Sequence, residues 1–145
     1  MPNEIRPNES RAGENRAQEN GNVALSELQI AVMRVLWRQG ETSVTDVAAA
    51  LAEERGLKYT TVATLLTRLE RRDVVAQRRE GRQLIYRALA SEPQVRRSMV
   101  ADLVGTLFGG DARELVAHLV SESEIAPGDL QHARKRLAKN TRRGG

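Results

Sequence analysis

No cysteine occurs among the 145 residues, which excludes disulfides, thiolate metal sites and cysteine nucleophiles and suits a reducing compartment. Histidine is almost as scarce. The two that exist, His118 and His132, fall on segments with amphipathic helical spacing and have no cluster of carboxylates beside them. General acid–base chemistry and a protein metal site therefore have no constellation to use, and neither an enzyme nor a cofactor is expected. Aromatic residues make up only 3% of the chain, so the core must be built from Leu, Val and Ala, as in a small helical protein. The same shortage argues against a reader of single-stranded RNA, which presents stacking faces; only Tyr59 and Tyr86 lie near the basic stretch, and Tyr86 belongs to a strand. No apolar run approaches the ~18 residues of a membrane span, and residues 1–22 contain no apolar signal segment. The expected location is cytoplasmic.

What the chain does have is a basic amphipathic stretch, KYTTVATLLTRLERRDVVAQRREGRQLIYRAL, beginning at Lys58. Val62, Leu65, Leu66 and Leu69 recur at the spacing that aligns four aliphatic side chains on one helical stripe. The opposite side is short and polar. Thr60, Thr61, Thr64, Thr67 and Arg68 occupy it, and short hydroxyl side chains let a helix approach a major groove closely. Strand-like runs over 74–79 and 84–89 follow, separated by Glu80, Gly81, Arg82 and Gln83, with Arg78, Arg79 and Arg82 at the hairpin tip.

Between residues 56 and 97 there are ten basic and four acidic residues, a net charge of +6, whereas the whole chain carries only +4. A basic run alone is usually a solvated face. Here it coincides with a helix and hairpin of the right shape, and the combination predicts double-stranded DNA as the partner.

Residues 1–22 are polar, alternate in charge sign and contain too few apolar groups to offset the entropy of ordering, so a disordered tail is expected there. Ser26 and Gln29 have capping-box spacing, with Leu25 and Ile30 placed as a hydrophobic staple; this predicts a first helix buried through Leu28, Val32, Val35 and Leu36 and ended by Gly40. Ser43 and Asp46 signal a second helix, closed by Gly56. Helix, helix, recognition helix and hairpin in that order make a winged helix-turn-helix over residues 23–90. The fold class is therefore mainly α with a small β-hairpin wing.

After residue 89 the helical pattern resumes in three segments. The first starts at Glu92 and Pro93, carries Val95, Met99, Leu103 and Leu107, and is broken by Gly109 and Gly110. The second carries Leu115 and Leu119, the third Leu130 and Leu137. Their apolar faces are more than a short appendage can hide by itself, so residues 91–139 are expected to form a homodimer, with 140–145 a flexible tail. Residues 111–129 hold five acidic residues and one basic, which separates this half from the DNA-reading half. A ligand-sensing winged-helix regulator of another family is the alternative. It needs a pocket with convergent polar groups, whereas the segments after residue 89 are short and aliphatic.

Four pieces in register, LSELQIAVMRVLW, TTVATLLTRLERRD, EGRQLIYRAL and LFGGDARELVAHLVSESEIAPGDL, give the chain a resemblance over residues 25–137 to the BlaI/MecI/CopY repressors, the penicillinase-repressor family of winged-helix regulators. The resemblance implies a dimeric repressor on an inverted-repeat operator, with base and phosphate contacts at Thr60, Thr61, Ala63 and Thr64; the basic helix and hairpin add Lys58, Tyr59, Thr67, Arg68, Arg78, Arg79 and Arg82 to the expected DNA-binding residues. It also implies, for the beta-lactam-responsive branch, a membrane-bound metallopeptidase sensor and cleavage within the second dimerisation helix at an Asn-Phe bond. That bond lines up with His118 and Leu119, so the scissile pair is not retained. The copper-responsive branch carries a C-terminal cysteine cluster that this chain lacks.

Overall fold

The computed structural model describes residues 23–122 and 124–144; the expected N-terminal tail lies outside the described residues. Helix α1 (Glu27–Gln39) starts at the Ser26 capping box: Ser26 Oγ accepts from the Gln29 amide at 3.1 Å and Gln29 Oε1 from the Ser26 amide at 2.9 Å. It buries Ala31, Val32, Met33, Val35 and Leu36, and Leu28 is only half-buried at the edge of the core. Gly40 ends it at a positive φ of 76°, its amide donating to the Leu36 carbonyl.

A two-residue strand follows, β1 (Thr42–Ser43), and Ser43 then caps α2 (Val44–Arg55) by accepting from the Asp46 amide at 3.1 Å. Helix α3 (Tyr59–Arg71) places Val62, Leu65, Leu66 and Leu69 in the core, the stripe expected from their spacing. Complete burial of each such side chain stabilises the fold by about 1.5–3 kcal/mol. The end of α3 is a Schellman closure, with the Asp73 amide donating to the Glu70 carbonyl and the Val74 amide to that of Leu69, both at 3.0 Å. Asp73, not glycine, takes the left-handed position at φ 58°, and its Oδ2 is buried without a hydrogen-bond partner among the described residues.

Strands β2 (Val75–Glu80) and β3 (Gln83–Ala88) form the hairpin. The four-residue connection expected from the sequence narrows to Gly81 and Arg82, because Glu80 still pairs with Gln83; Gly81 has the positive φ, 61°, that the first position of a type II′ turn requires. β1 joins β3 antiparallel, Ser43 opposite Ile85, so the wing is one edge of a three-stranded sheet in the order β1-β3-β2.

Helix α4 (Glu92–Leu107) begins with a second reciprocal cap, Ser91 with Gln94. Its first turns belong to the winged-helix unit: Val95 and Ser98 are buried, Met99 packs on the core, and Ser98 Oγ accepts from the Val23 amide. The chain accordingly divides after Val100 into two compact units, ten residues beyond the boundary expected at residue 90. In the second unit, α5 (Ala112–Ser121) is capped by Asp111 and buries no residue completely. α6 (Pro127–Gly144) continues through residues 140–144, which were expected in the C-terminal tail. Among the described residues no helix is long and apolar enough to cross a membrane.

Candidate nucleic-acid interface

The face of α3 opposite the leucine stripe is formed by Thr60, Thr64, Thr67 and Arg71, spaced i, i+4, i+7 and i+11 and all exposed, with Arg68 beside them. Thr61 and Ala63 occupy the flanks and are half-buried, Ala63 against the core. Of the polar side expected from the sequence, Thr60, Thr64, Thr67 and Arg68 are exposed as expected, Thr61 moves to the flank, and Arg71 joins the face. Sequence reasoning passed over Arg71 although its spacing from Thr60 was readable. Two of the threonines are oriented by the helix itself: Thr64 Oγ1 donates to the Thr60 carbonyl and Thr67 Oγ1 to that of Ala63, each at 2.9 Å. With its hydrogen committed to the backbone, each hydroxyl offers only acceptor lone pairs, and a methyl, to anything laid on this face.

Lys58 has the position before α3 and makes no side-chain cap; Tyr59 opens the helix and is 54% exposed. Tyr59 lines a notch of about 150 Å³ together with Ser43, Val44 and Thr45 from the start of α2 and Arg82, Gln83 and Leu84 from the wing. The fold therefore brings the first turn of α3 and the tip of the hairpin to one place. Among the described residues Lys58, Arg68, Arg71, Arg79 and Arg82 have no ion-pair partner, so their charge is available to an anion.

The three wing arginines are not equivalent. Side chains alternate along a strand and directly opposed residues share a face. Val75, Gln77 and Arg79 share the face of Ala88, Tyr86 and Leu84, the side packed on the core and on α3. Tyr86 is buried there, and burial pushes its phenol above the ordinary value, helped by the nearby carboxylate of Glu70 and by Tyr59. Arg78 is opposite Ile85 on the other face. Its guanidinium meets Glu41 through Nη2 at 3.0 Å and Nε at 3.4 Å, and Glu80 through Nη1 at 3.1 Å. The hydrogen bond and charge of Arg78 hold the Glu41 carboxyl below its ordinary range. Arg78, expected at the tip as a phosphate contact, is thus a mid-strand residue whose charge is already shared by two carboxylates.

The residues expected at a dimer interface are mostly presented by the second unit. Leu103, Leu107, Leu130 and Leu137 are exposed there, joined by Val116 and Val120, while Leu115 and Leu119 are half-buried. Met99 differs, since it packs on the winged-helix core. His118 is exposed on α5 with its ring 5.9 Å from that of Phe108. Among the described residues no group of three His, Asp or Glu side chains is placed to hold a metal ion.

Comparison with known proteins gives a consistent picture. The profile of the penicillinase repressor family matches residues 25–139. The transcriptional regulator BlaI of Mycobacterium tuberculosis is 31% identical over 117 residues, covering 79% of this chain and 83% of that protein. The methicillin resistance regulatory protein MecI of Mammaliicoccus sciuri is 19% identical over 115 residues, covering 79% of this chain and 94% of that protein. Among solved structures, the DNA-binding domain of the repressor BlaI aligns over 48% of this chain and 85% of its own, at 24% identity and a TM-score of 0.46.

Proposed function

The chain belongs to the penicillinase repressor family, and from that premise we propose that it represses transcription as a homodimer bound to an inverted-repeat operator through α3 and the wing. It is a DNA-binding transcriptional repressor of winged-helix fold, not an enzyme. The single observation that carries the interface is the convergence of an exposed threonine and arginine face on α3 with unpaired arginines at the hairpin tip, around the notch lined by Tyr59 and Arg82. Bases are read by the face of Thr60, Thr64, Thr67 and Arg71 in the major groove, while Lys58, Arg79 and Arg82 hold the phosphate backbone.

The homodimer is supported by the second unit, whose α5 buries nothing completely and whose six exposed Leu and Val side chains need cover. A second copy supplies it, and two-fold symmetry in the protein calls for two-fold symmetry in the operator. A membrane-bound metallopeptidase sensor belongs to the same proposal only as an upstream partner. The His118–Leu119 bond lies inside α5, whose turns must unwind before a protease can take them as extended chain, and the residue types at the bond differ from the family's scissile pair.

Genomic footprinting of the protein on its own chromosome tests this reading. An inverted repeat recurring at the protected sites is the expected result; protection without a common symmetric sequence would refute it.

A further inference from the structure

We infer that Arg78 is a positioning residue that ties the wing to the α1–β1 turn, so that Arg79 and Arg82, and not Arg78, meet the DNA backbone. The inference rests on the proposed DNA reading and goes beyond it by dividing the work among three arginines that the sequence presents as one cluster.

The hairpin register sets the division. Arg78 is on the outer face of β2, opposite Ile85, which is opposite Ser43 on β1. From there its guanidinium crosses β3 to Glu41, the residue just before β1, with two nitrogens on the two carboxylate oxygens, and turns its remaining nitrogen to Glu80 near the hairpin tip. A planar fork makes this three-point clasp; an ammonium does not reproduce it. The clasp spans all three strands and so links the hairpin, at the free edge of the sheet, to the turn that begins β1 and α2.

The charge balance points the same way. Glu41, Arg78 and Glu80 together carry one net negative charge, and Arg87, whose charge also acts on Glu41, brings the local sum to zero, so Arg78 adds no net positive charge there for a phosphate backbone to meet. Arg79 is on the α3-facing side, Arg82 is in the turn that lines the notch with Tyr59, and neither has an ion-pair partner among the described residues. Ile85 is consistent with a structural role for the outer face: it is buried, yet stands apart from the main core cluster, directly beside Arg78.

The test measures operator binding by the full-length protein across a range of salt concentrations, with random duplex as competitor. Arg79→Gln and Arg82→Gln should each lower the logarithmic salt slope by ~0.9, the value of a single phosphate contact. Arg78→Gln should leave the slope unchanged while weakening operator affinity about two- to fivefold, the range of an exposed pair. Two further variants discriminate by sign and by shape. Glu41→Ala removes a negative charge and should still weaken operator binding, because the wing loses its tie. Arg78→Lys keeps the charge and should behave like Arg78→Gln. A slope drop of ~0.9 for Arg78→Gln, tighter binding by Glu41→Ala, or wild-type binding by Arg78→Lys would each overturn the inference. If the Arg79 and Arg82 variants also leave the slope unchanged, the wing is no interface and the underlying DNA reading fails with it. All four positions are exposed, and thermal unfolding of each variant verifies its fold.

Discussion

Replacing Thr64 by alanine separates reading from mere contact. Thr64 is exposed in the middle of the polar face of α3, and its hydroxyl donates to the Thr60 carbonyl at 2.9 Å. That bond leaves the side chain with an acceptor oxygen and a methyl, a pair suited to an adenine or cytosine amino group and to a thymine methyl. Removing such an interaction costs about 1–3 kcal/mol of discrimination per half-site, roughly five- to 150-fold in the ratio of specific to random affinity. Helix stability moves in the opposite direction, because alanine is the better helix former by about 0.5 kcal/mol. A loss of operator affinity therefore does not arise from a weakened fold. Thr64→Val keeps the branched shape and methyl, Thr64→Ser keeps the hydroxyl, and the two together assign the contact to one group. The assay is competition between operator and random duplex at fixed salt. If the ratio of the two affinities is unchanged in Thr64→Ala, the side chain is not read against a base.

Asp73→Gly should raise stability by about 1 kcal/mol, since glycine removes both the strain of φ 58° and a buried oxygen without a partner; a lower urea midpoint would contradict this. Replacing Leu103, Leu107 and Leu137 by serine should shift the protein from dimer to monomer in sedimentation, and a variant that stays dimeric would move the interface elsewhere. Tyr86 has a folded-state pKa above the ordinary phenol value of 10.0, so its linked stability is fully present below that pH and is lost as pH rises through the folded value. Tyr86→Phe should flatten the alkaline decline in stability; an unchanged profile would mean that the phenol ionises alike in both states.

The features legible in the sequence were those whose partners are close in the chain. The Ser26 and Ser43 caps, the Val62–Leu69 stripe and the glycine stops each depend on contacts within a few residues, and each is found where periodicity and cap chemistry placed it. The hairpin was legible too, although its turn is two residues shorter than expected. The misses depend on distant pairing. β1 is two residues long and becomes a strand only because β3, more than forty positions later, bonds to it. The first turns of α4 look like the rest of that helix but are claimed by the winged-helix core through Val95, Ser98 and Met99. Arg78 reads as one of three tip arginines until the register places it opposite Ile85 and within reach of Glu41. The polar face of α3 was legible except at its margins: Thr61 flanks it half-buried, and Arg71, one turn beyond Thr67, completes it. The Ser91–Gln94 cap was readable at its spacing and was overlooked beside Pro93.

Whether α3 and the wing tip form the DNA interface is read from backbone amide resonances of the full chain as operator duplex is added. Shifts are expected in α3, from Tyr59 to Arg71, and in the hairpin around Arg79, Arg82 and Gln83, with α5 unmoved. Shifts centred on the exposed cations of α6, Arg134, Lys135, Arg136 and Lys139, with α3 unmoved, would contradict it.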